Sequence, residues 1–309
     1  MGSLFFVLSS AAASERRTMD FNVFINVIKA SVEEMLPDCE ITIRDVVKNN
    51  NVILSAISIK SENVNAAPTI YLEQFYEEYR KGTDIRSITD RIVEIYEVNK
   101  LCSDYDFEDI EEYDKAKRNI YFKAVNYMNN SDFLTDVPYY LFEDLALVPY
   151  YLINDEVIGE ASVVIHNDLF ESWNIDSNVF YNDIMENMEN HFEYAFQPIT
   201  DVLSKLSDGM LPDNLSSMGM YVLYPENKLY GAALIAVCSV LRNIAEMLRS
   251  NYYIIPSSVH ELIIVKSDDE NDRDILNGIV EEVNNTALSP EDILAGHVYY
   301  YKRGLGITH

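Results

Sequence analysis

The chain has 309 residues, of which 48% are apolar, so it is long enough for one large or two smaller domains with a sizeable core, and global disorder is excluded. Its 23 Lys and Arg residues stand against 51 Asp and Glu residues, and the net charge of −28 repels nucleic-acid phosphates and anionic membrane surfaces. We therefore expect no direct binding of nucleic acid and no membrane association. The acidity predicts solubility, and the alternative is a nucleic-acid mimic that binds a basic protein.

The three cysteines predict a reducing, cytoplasmic location. Cys39, Cys102 and Cys238 are far apart, odd in number and form no C-x-x-C pair, which indicates free thiols and not a disulfide framework. No apolar run of the sequence reaches the roughly 18 residues that a membrane-spanning helix needs. The sequence leaves the oligomeric state open.

Residues 1–18 differ in composition from the residues that follow. The stretch "MGSLFFVLSSAAASERR" contains a short apolar run, but its arginines come after that run and not before it, as they would in a signal peptide. An amphipathic pattern begins at Met19, and the preceding Glu-Arg-Arg can be encoded by a purine-rich ribosome-binding sequence. We therefore expect translation to start at Met19 and residues 1–18 to be a non-native or disordered extension.

The next segments predict a helix and then a β-hairpin. In "EITIRDVVKNNNVILSAISIK", β-branched flanks surround Asn50 and Asn51, which tolerate the positive φ angles of a tight turn. Before it, "FNVFINVIKASVEEML" has apolar residues at helical spacing. The apolar face of this helix comprises Phe21, Phe24, Ile25 and Ile28.

Two further helices are predicted before residue 100. Thr69 can cap a helix through "YLEQFYEEYRK", and Gly82 can end it. Thr83 can cap the next helix, whose apolar residues lie on one face. That face comprises Ile85, Ile88, Ile92, Ile95 and Tyr96.

The acid-rich segment 104–119 predicts a solvated helix and a domain boundary, because its acidic residues precede its basic ones, which suits a helix dipole. We assign an N-terminal α+β region to residues 19–118 and a C-terminal α+β region to residues 119–309. Two strands follow, in "IYFKAVNY" and "YYLFEDLALVPYYLI", and a third in "ASVVIHNDLFESWNI" runs toward a helix start. Asp176 or Ser177 can cap a long helix with the apolar face Phe180, Ile184, Met188, His191, Phe192 and Ala195.

The C-terminal segments predict a β-α-β-β-α-β unit. "MYVLY" is a strand, "YGAALIAVCSVLRNIAEMLRS" a buried helix, and "YYII" and "ELIIVK" are strands around "PSSVH". "RDILNGIVEEV" is a helix, Ser289 can cap a short helix that begins at Pro290, and "HVYYYKR" is the last strand. The fold class is therefore α+β, with mixed β-sheets and packed helices.

The common catalytic and cofactor motifs are absent from the sequence. There is no G-x-G-x-x-G, no G-x-x-x-x-G-K-[ST] and no G-x-S-x-G, and no cofactor is predicted. No metal is predicted either. His260–Glu261 begins like H-E-x-x-H but has Ile264 at the second histidine position, and the acidic run from Asp268 lacks the glycine and glutamate of a calcium loop.

Residues 257–261 are the candidate site of the sequence, with Ser257, Ser258, His260 and Glu261 as its polar residues. A serine, a histidine and a carboxylate this close can line a cleft. The alternative is a turn between strands, since Pro256 favours a bend and the serines can bond the backbone of the turn. Alternation then places Glu261 and Ile263 on one side of a strand and Leu262 and Ile264 on the other, with both sides apolar.

Four stretches together resemble an uncharacterised domain family of clostridial gut bacteria. They are "PTIYLEQFYEEYRKG", "FEDLALVPYYLI", "MYVLYPENKLYGAALI" and "YYIIPSSVHELIIV". The resemblance covers nearly all of the chain from Met19 and implies a bacterial cytosolic protein, but it implies no activity and no catalytic residues.

Three functions follow from these observations. The first is a binding or regulatory protein without catalysis that contacts another protein, which the missing motifs favour. The second is an enzyme of an unrecognised type with a site near residues 257–261. The third is the acidic nucleic-acid mimic.

Overall fold

The described chain forms two compact units. One contains the described residues of 1–46 and 54–103, and the other those of 47–53 and 104–309. Residues 108–118, which we assigned to the N-terminal region, belong to the second unit because Ile110 and Ala116 are buried in its core. The predicted extension 1–18 lies outside the described residues. The computed structural model describes residues 19–62, 64, 67–100, 108–155, 159–206, 219–286 and 288–308.

The first unit is a three-stranded sheet with three helices. The strands pair in the order β1-β2-β3, and β2 and β3 are antiparallel. The core of the unit is formed by one apolar face of each long helix packed on the strands. The elements are α1 (Phe21–Met35), β1 (Cys39–Val47), β2 (Ile53–Ser61), β3 (Thr69–Tyr71), α2 (Glu73–Arg80) and α3 (Ile85–Asn99).

Local signals place most boundaries of this unit. Asp20 caps α1, since its carboxylate accepts a hydrogen bond from the Val23 backbone N–H at 2.9 Å. Asn50 and Asn51 have φ angles of 60° and 57°, which confirms the turn predicted between β1 and β2. Gly82 ends α2 with a φ of 109°, as predicted.

Two predicted caps are wrong. Thr69 lies in β3 opposite Ser58, because "TIY" pairs with β2 before the helix begins at Glu73. The cap of α3 is Asp84 and not Thr83, since its carboxylate accepts from the Ser87 backbone N–H at 3.0 Å. Asp84 stands next to Thr83 and caps helices at least as well, whereas Thr69 lies four residues before α2 begins.

The second unit contains two sheets. One sheet has four strands, in which β6 pairs with β4, β5 and β7. The other has six strands in the order β13-β12-β10-β11-β9-β8. Its strands are β4 (Ile120–Asn126), β5 (Tyr140–Phe142), β6 (Leu145–Asp155), β7 (Gly159–Val164), β8 (Tyr194–Pro198), β9 (Met220–Pro225), β10 (Tyr252–Ser258), β11 (Glu261–Lys266), β12 (Tyr299–Lys302) and β13 (Gly306–Thr308).

The helices of the second unit pack on these sheets. α4 (Glu108–Glu111) and α5 (Tyr113–Ala116) are short, and a buried 3-10 segment, Gly231–Ala236, precedes the ninth helix. None of the helices within the described ranges is long and apolar enough to cross a membrane. The remaining helices are α6 (Asn167–Ser172), α7 (Ser177–Asn190), α8 (Ile199–Leu206), α9 (Cys238–Leu248) and α10 (Arg273–Thr286).

The α+β fold class is confirmed. Every strand pair whose register is described is antiparallel. The predicted C-terminal order is present as β9, α9, β10, β11, α10 and β12. Both faces of the β10–β11 hairpin carry buried apolar residues, because Leu262 and Ile264 belong to the main core while Tyr253 and Ile255 pack in a separate cluster with α10.

Two predicted elements are divided in two. The strand in "YYLFEDLALVPYYLI" is broken by Glu143, whose φ of 56° makes the turn between β5 and β6. The single helix predicted in 104–119 is interrupted by Glu112, whose backbone is extended between α4 and α5. Strand-forming residues lie on both sides of Glu143 and Asp144, so periodicity alone does not mark the turn.

Three further predictions need correction. The helix predicted from Tyr230 begins as the 3-10 segment, and α9 starts only at Cys238. Ser289 caps no helix, and its carbonyl instead accepts a hydrogen bond from the Asp292 N–H in a turn. His191 is exposed and not buried, because α7 ends at Asn190 and the turn rotates His191 away from the apolar face.

Candidate functional site

The predicted site residues lie at the turn of the β10–β11 hairpin. Ser258 and Glu261 face each other at the ends of the two strands, and Val259 and His260 form the turn between them. The register is irregular between Ile255 and Ser258. Pro256 and Ser257 lie in that irregular stretch. All four predicted polar residues, Ser257, Ser258, His260 and Glu261, are half-buried.

Hydrogen bonds tie this turn to the backbone. The Ser258 Oγ accepts from the His260 backbone N–H at 3.1 Å, and the His260 Nδ1 accepts from the Tyr230 backbone N–H at 3.3 Å. The carbonyl of His260 accepts from the Gly231 N–H at 3.1 Å. The serine therefore faces the backbone of the histidine and not its ring. These bonds match the turn interpretation and contain no nucleophile–base pair.

Close approach at Gly231 explains how the turn is held. A Cβ at this position would lie 2.3 Å from the Pro225 Cδ and 2.5 Å from the His260 carbonyl oxygen, so only glycine fits. The preceding residue, Tyr230, has a φ of 55° and stacks its ring on the His260 ring at 5.6 Å. The hairpin turn and the segment around Tyr230 are thus one packed structure.

A groove with an apolar floor and arginines at its rim lies between α9 and the β12–β13 hairpin. Its volume is about 460 Å³, within the usual range for ligand sites. We call it the α9 groove. Its floor consists of Phe142, Ile235, Leu241, Ala245, Tyr301 and Ile307, and its rim includes Arg242, Glu246, Arg303 and Leu305.

The two arginines at this rim differ in their ion-pair partners. Arg303 holds Glu246 with two hydrogen bonds, from Nε to Oε1 at 3.0 Å and from Nη2 to Oε2 at 2.6 Å. These bonds hold the pKa of Glu246 below its ordinary value. The guanidinium of Arg242 makes neither a hydrogen bond nor an ion pair with any described residue. Arg242 is therefore a cation available to a ligand.

The β12–β13 turn shapes one wall of the groove. Gly304 and Gly306 have φ angles of 81° and 98°, which this tight turn requires. Leu305 lies between them with 75% of its surface exposed. β13 follows the turn at the edge of the six-stranded sheet and pairs only with β12 among the described strands. The groove therefore lies beside an open strand edge and an exposed apolar side chain.

The cysteines and acidic residues give no metal site within the described chain. Cys238 is exposed in the groove at the first residue of α9, Cys39 is half-buried with its Sγ 3.5 Å from the Tyr96 hydroxyl, and Cys102 lies outside the described residues. Where side chains are described, no three His, Cys, Asp or Glu residues are grouped to hold a metal ion. In the acidic run, Asp269 accepts from the Asn271 N–H and so caps a turn.

The arginines of the groove were not among the predicted site residues. Arg242 was included only as part of a buried helix, and Arg303 only as the end of the last strand. One signal was present, since "KRGLG" places an arginine and an apolar residue within a glycine turn. The pairing with α9 is a long-range contact that the sequence pattern does not encode.

Comparisons with known proteins give one match. The family model described as a family of unknown function, DUF5688, matches residues 21–303. No curated protein and no solved structure matches the chain.

Proposed function

We propose that this chain, which belongs to the family of unknown function DUF5688, is a binding protein without catalysis that holds the carboxyl end of a partner polypeptide in the α9 groove. The observation that carries the proposal is Arg242, a guanidinium without an ion-pair partner among the described residues, at the rim of an apolar groove of about 460 Å³. In a chain of net charge −28, a guanidinium without an ion-pair partner is a position where an anion can bind.

The chemistry of the groove supports a carboxylate with an apolar neighbour. Arginine binds carboxylates through its planar fork of N–H donors, and the apolar floor can accept the last side chain of a polypeptide. Because Arg303 is already occupied by Glu246, Arg242 is the residue that we assign to the ligand.

The strand edge supports an extended partner. A peptide can add to an exposed sheet edge through backbone hydrogen bonds, and β13 offers such an edge next to the floor of the groove. Leu305 would then contact the peptide from the turn. A partner segment of a few residues is sufficient, since β13 spans only Gly306–Thr308.

The other predicted functions have less support. The hydrogen bonds of Ser258 and His260 to the backbone favour a structural role for residues 257–261 over an active site. The acidic mimic stays a prediction from net charge. We also propose a clostridial origin, on the family resemblance, and a cytoplasmic location, on the free cysteines. The net charge supports the absence of direct nucleic-acid binding.

The test uses a pool of fluorescent hexapeptides of random sequence that end in leucine. One half carries a free carboxyl group and the other half a carboxamide. We expect the free acids to bind at least about tenfold more tightly, because a hydrogen bond to a charged group contributes about 1.5–3 kcal/mol. Fluorescence anisotropy measures both affinities.

Two arginine variants identify the site. We expect Arg242→Gln to remove the preference for the free acid, while Arg249→Gln, a nearby exposed arginine outside the groove lining, leaves it intact. Equal binding of acid and amide by the unmodified protein, or equal effects of both variants, would contradict the proposal.

A further inference from the structure

Lys123 has apolar and aromatic side chains as its nearest neighbours on one face of the sheet around β6. In β4 it stands opposite Val148 of β6, and the neighbouring pair on the same face is Tyr121 with Tyr150. Its Nζ lies 5.0 Å from the centre of the Phe133 ring and 5.6 Å from that of Tyr230. We call Lys123, Phe133, Tyr150 and Tyr230 the lysine niche.

The ammonium group in this niche has no counter-ion. Among the residues that the structure describes, Lys123 makes neither a hydrogen bond nor an ion pair, and its side chain is half-buried. Burial, together with the nearby positive charge of Lys48, lowers the pKa of Lys123 to about 8. At pH 7 about a tenth of such an amine is neutral, about 300-fold more than for an ordinary lysine. The neutral amine is the nucleophilic form.

Tyr150 adds an unused hydrogen-bond donor to the niche. Its side chain is fully buried, and its hydroxyl has no hydrogen-bond partner among the described residues. Burial raises the pKa of Tyr150 above its ordinary value, so the hydroxyl keeps its proton. The Tyr150 ring packs against the same Tyr230 ring as Lys123, with ring centres 4.8 Å apart. The Lys123 amine and the Tyr150 ring thus contact one tyrosine ring, and a buried donor without a partner can bind a ligand oxygen.

Independently of the α9 groove, we infer that Lys123 is a covalent attachment site for a small aldehyde. The Nζ forms a bond to the carbonyl carbon, and the carbonyl oxygen leaves as water with the two protons of the amine, which gives an imine. No oxidant or reductant is consumed. The Tyr150 hydroxyl is the group that we assign to the carbonyl oxygen as a hydrogen-bond donor.

An aldehyde suits the niche better than an anion does. The faces of the Phe133 and Tyr230 rings carry negative charge density, which attracts cations and repels anions. An uncharged carbonyl compound meets no such repulsion. Imine formation also replaces a group whose charged form is disfavoured by burial. Ser162 and His260 hold Tyr230 in place, with the Tyr230 hydroxyl 3.3 Å from the Ser162 Oγ and its ring stacked on His260.

The test is reductive alkylation with acetaldehyde and cyanoborohydride at pH 7, with brief sampling and peptide mass spectrometry. We expect Lys123 to become ethylated at least tenfold faster than Lys117 and Lys302. Those two ammonium groups pair with Asp114 and Glu270, which raises their pKa values. A rate for Lys123 no higher than that of the two paired lysines would overturn the proposal.

Two controls test whether the reactivity of Lys123 depends on the folded niche and on the Tyr150 hydroxyl. In urea the preference for Lys123 should disappear, and its persistence would overturn the proposal, because the niche exists only in the folded chain. Tyr150→Phe keeps the ring and removes the hydroxyl, so we expect ethylation of Lys123 to slow several-fold. An unchanged rate in this variant would overturn the assignment of Tyr150 as the donor.

Discussion

The hairpin turn at His260 and the lysine niche contact the same tyrosine ring, but their polar groups differ in hydrogen bonding. His260 stacks on Tyr230 at 5.6 Å and accepts a hydrogen bond from its backbone N–H. Lys123 lies 5.6 Å from the centre of that ring and has no hydrogen-bond or ion-pair partner among the described residues. Tyr150, on the same ring, also leaves its hydroxyl unpartnered.

This difference distinguishes polar residues that stabilise the fold from polar residues that can still bind a ligand. A buried polar group with partners adds stability, whereas one without partners lowers the free energy of unfolding by about 1–3 kcal/mol. The cluster of serine, histidine and glutamate has the composition of a site, but the Ser258 hydroxyl and the His260 ring accept hydrogen bonds from backbone N–H groups. Lys123 belongs to no sequence motif, but its ammonium group has no ion-pair partner among the described residues.

The largest expected effect is that of Gly231→Ala, which tests whether the turn and the Tyr230 segment form one packed structure. The new Cβ would lie 2.5 Å from the His260 carbonyl oxygen, so we expect a loss of about 3 kcal/mol in the free energy of unfolding. Urea denaturation measures it. The control is Gly278→Ala in α10, where a Cβ meets no atom within 4 Å and a gain of about 0.5–1 kcal/mol is expected. If the two variants were equally stable, the turn and the Tyr230 segment would not form one packed structure.

A smaller effect is expected from Lys123→Met. Because burial lowers the pKa of the folded Lys123 from 10.5 to about 8, the ammonium destabilises the fold at low pH. Between about pH 8 and 10.5 the unfolded chain holds more protons, so this penalty is relieved as pH rises. We expect Lys123→Met to be more stable than the unmodified protein by about 2 kcal/mol at pH 7, a value reduced from the full shift because the side chain is half-buried.

The difference between the two proteins should shrink as the pH rises from 8 to 10. Raised tyrosine pKa values, such as that of Tyr150, destabilise both proteins alike above pH 10, so the difference is the informative quantity. Lys117→Met, at an exposed ion pair, should show little change over this range. A pH-independent difference between Lys123→Met and the unmodified protein would show that the amine is not the cause.

The smallest effect is expected from His260→Ala, with a loss of about 1 kcal/mol because the Tyr230 backbone N–H loses its acceptor. Thermal melting should detect it, and His260→Asn should restore part of the loss by offering an oxygen. His166→Ala, at an exposed pair with Asp136, is the matched control without an expected effect. If His260→Ala keeps its melting temperature but abolishes peptide binding, residues 257–261 are a site after all.

The sequence by itself determined the elements whose causes are local. Apolar spacing predicted α1 and α3, Asn50 and Asn51 predicted the first hairpin, and Gly82 predicted a helix end, because each depends on residues within a few positions. Extended alternation likewise predicted that both faces of the β10–β11 hairpin are apolar. Periodicity also supported the α+β class, although it did not show that the strand pairs are antiparallel.

Only the tertiary structure decided which polar groups find partners. His191 is exposed because α7 ends one residue earlier, and the turn at Glu143 interrupts a run of strand-forming residues. Arg242 and Arg303 meet at one groove, and Lys123 meets Tyr150 and Tyr230, only because distant strands and helices pack together. A hydrophobic pattern encodes which side of an element is apolar, but not which other element covers it.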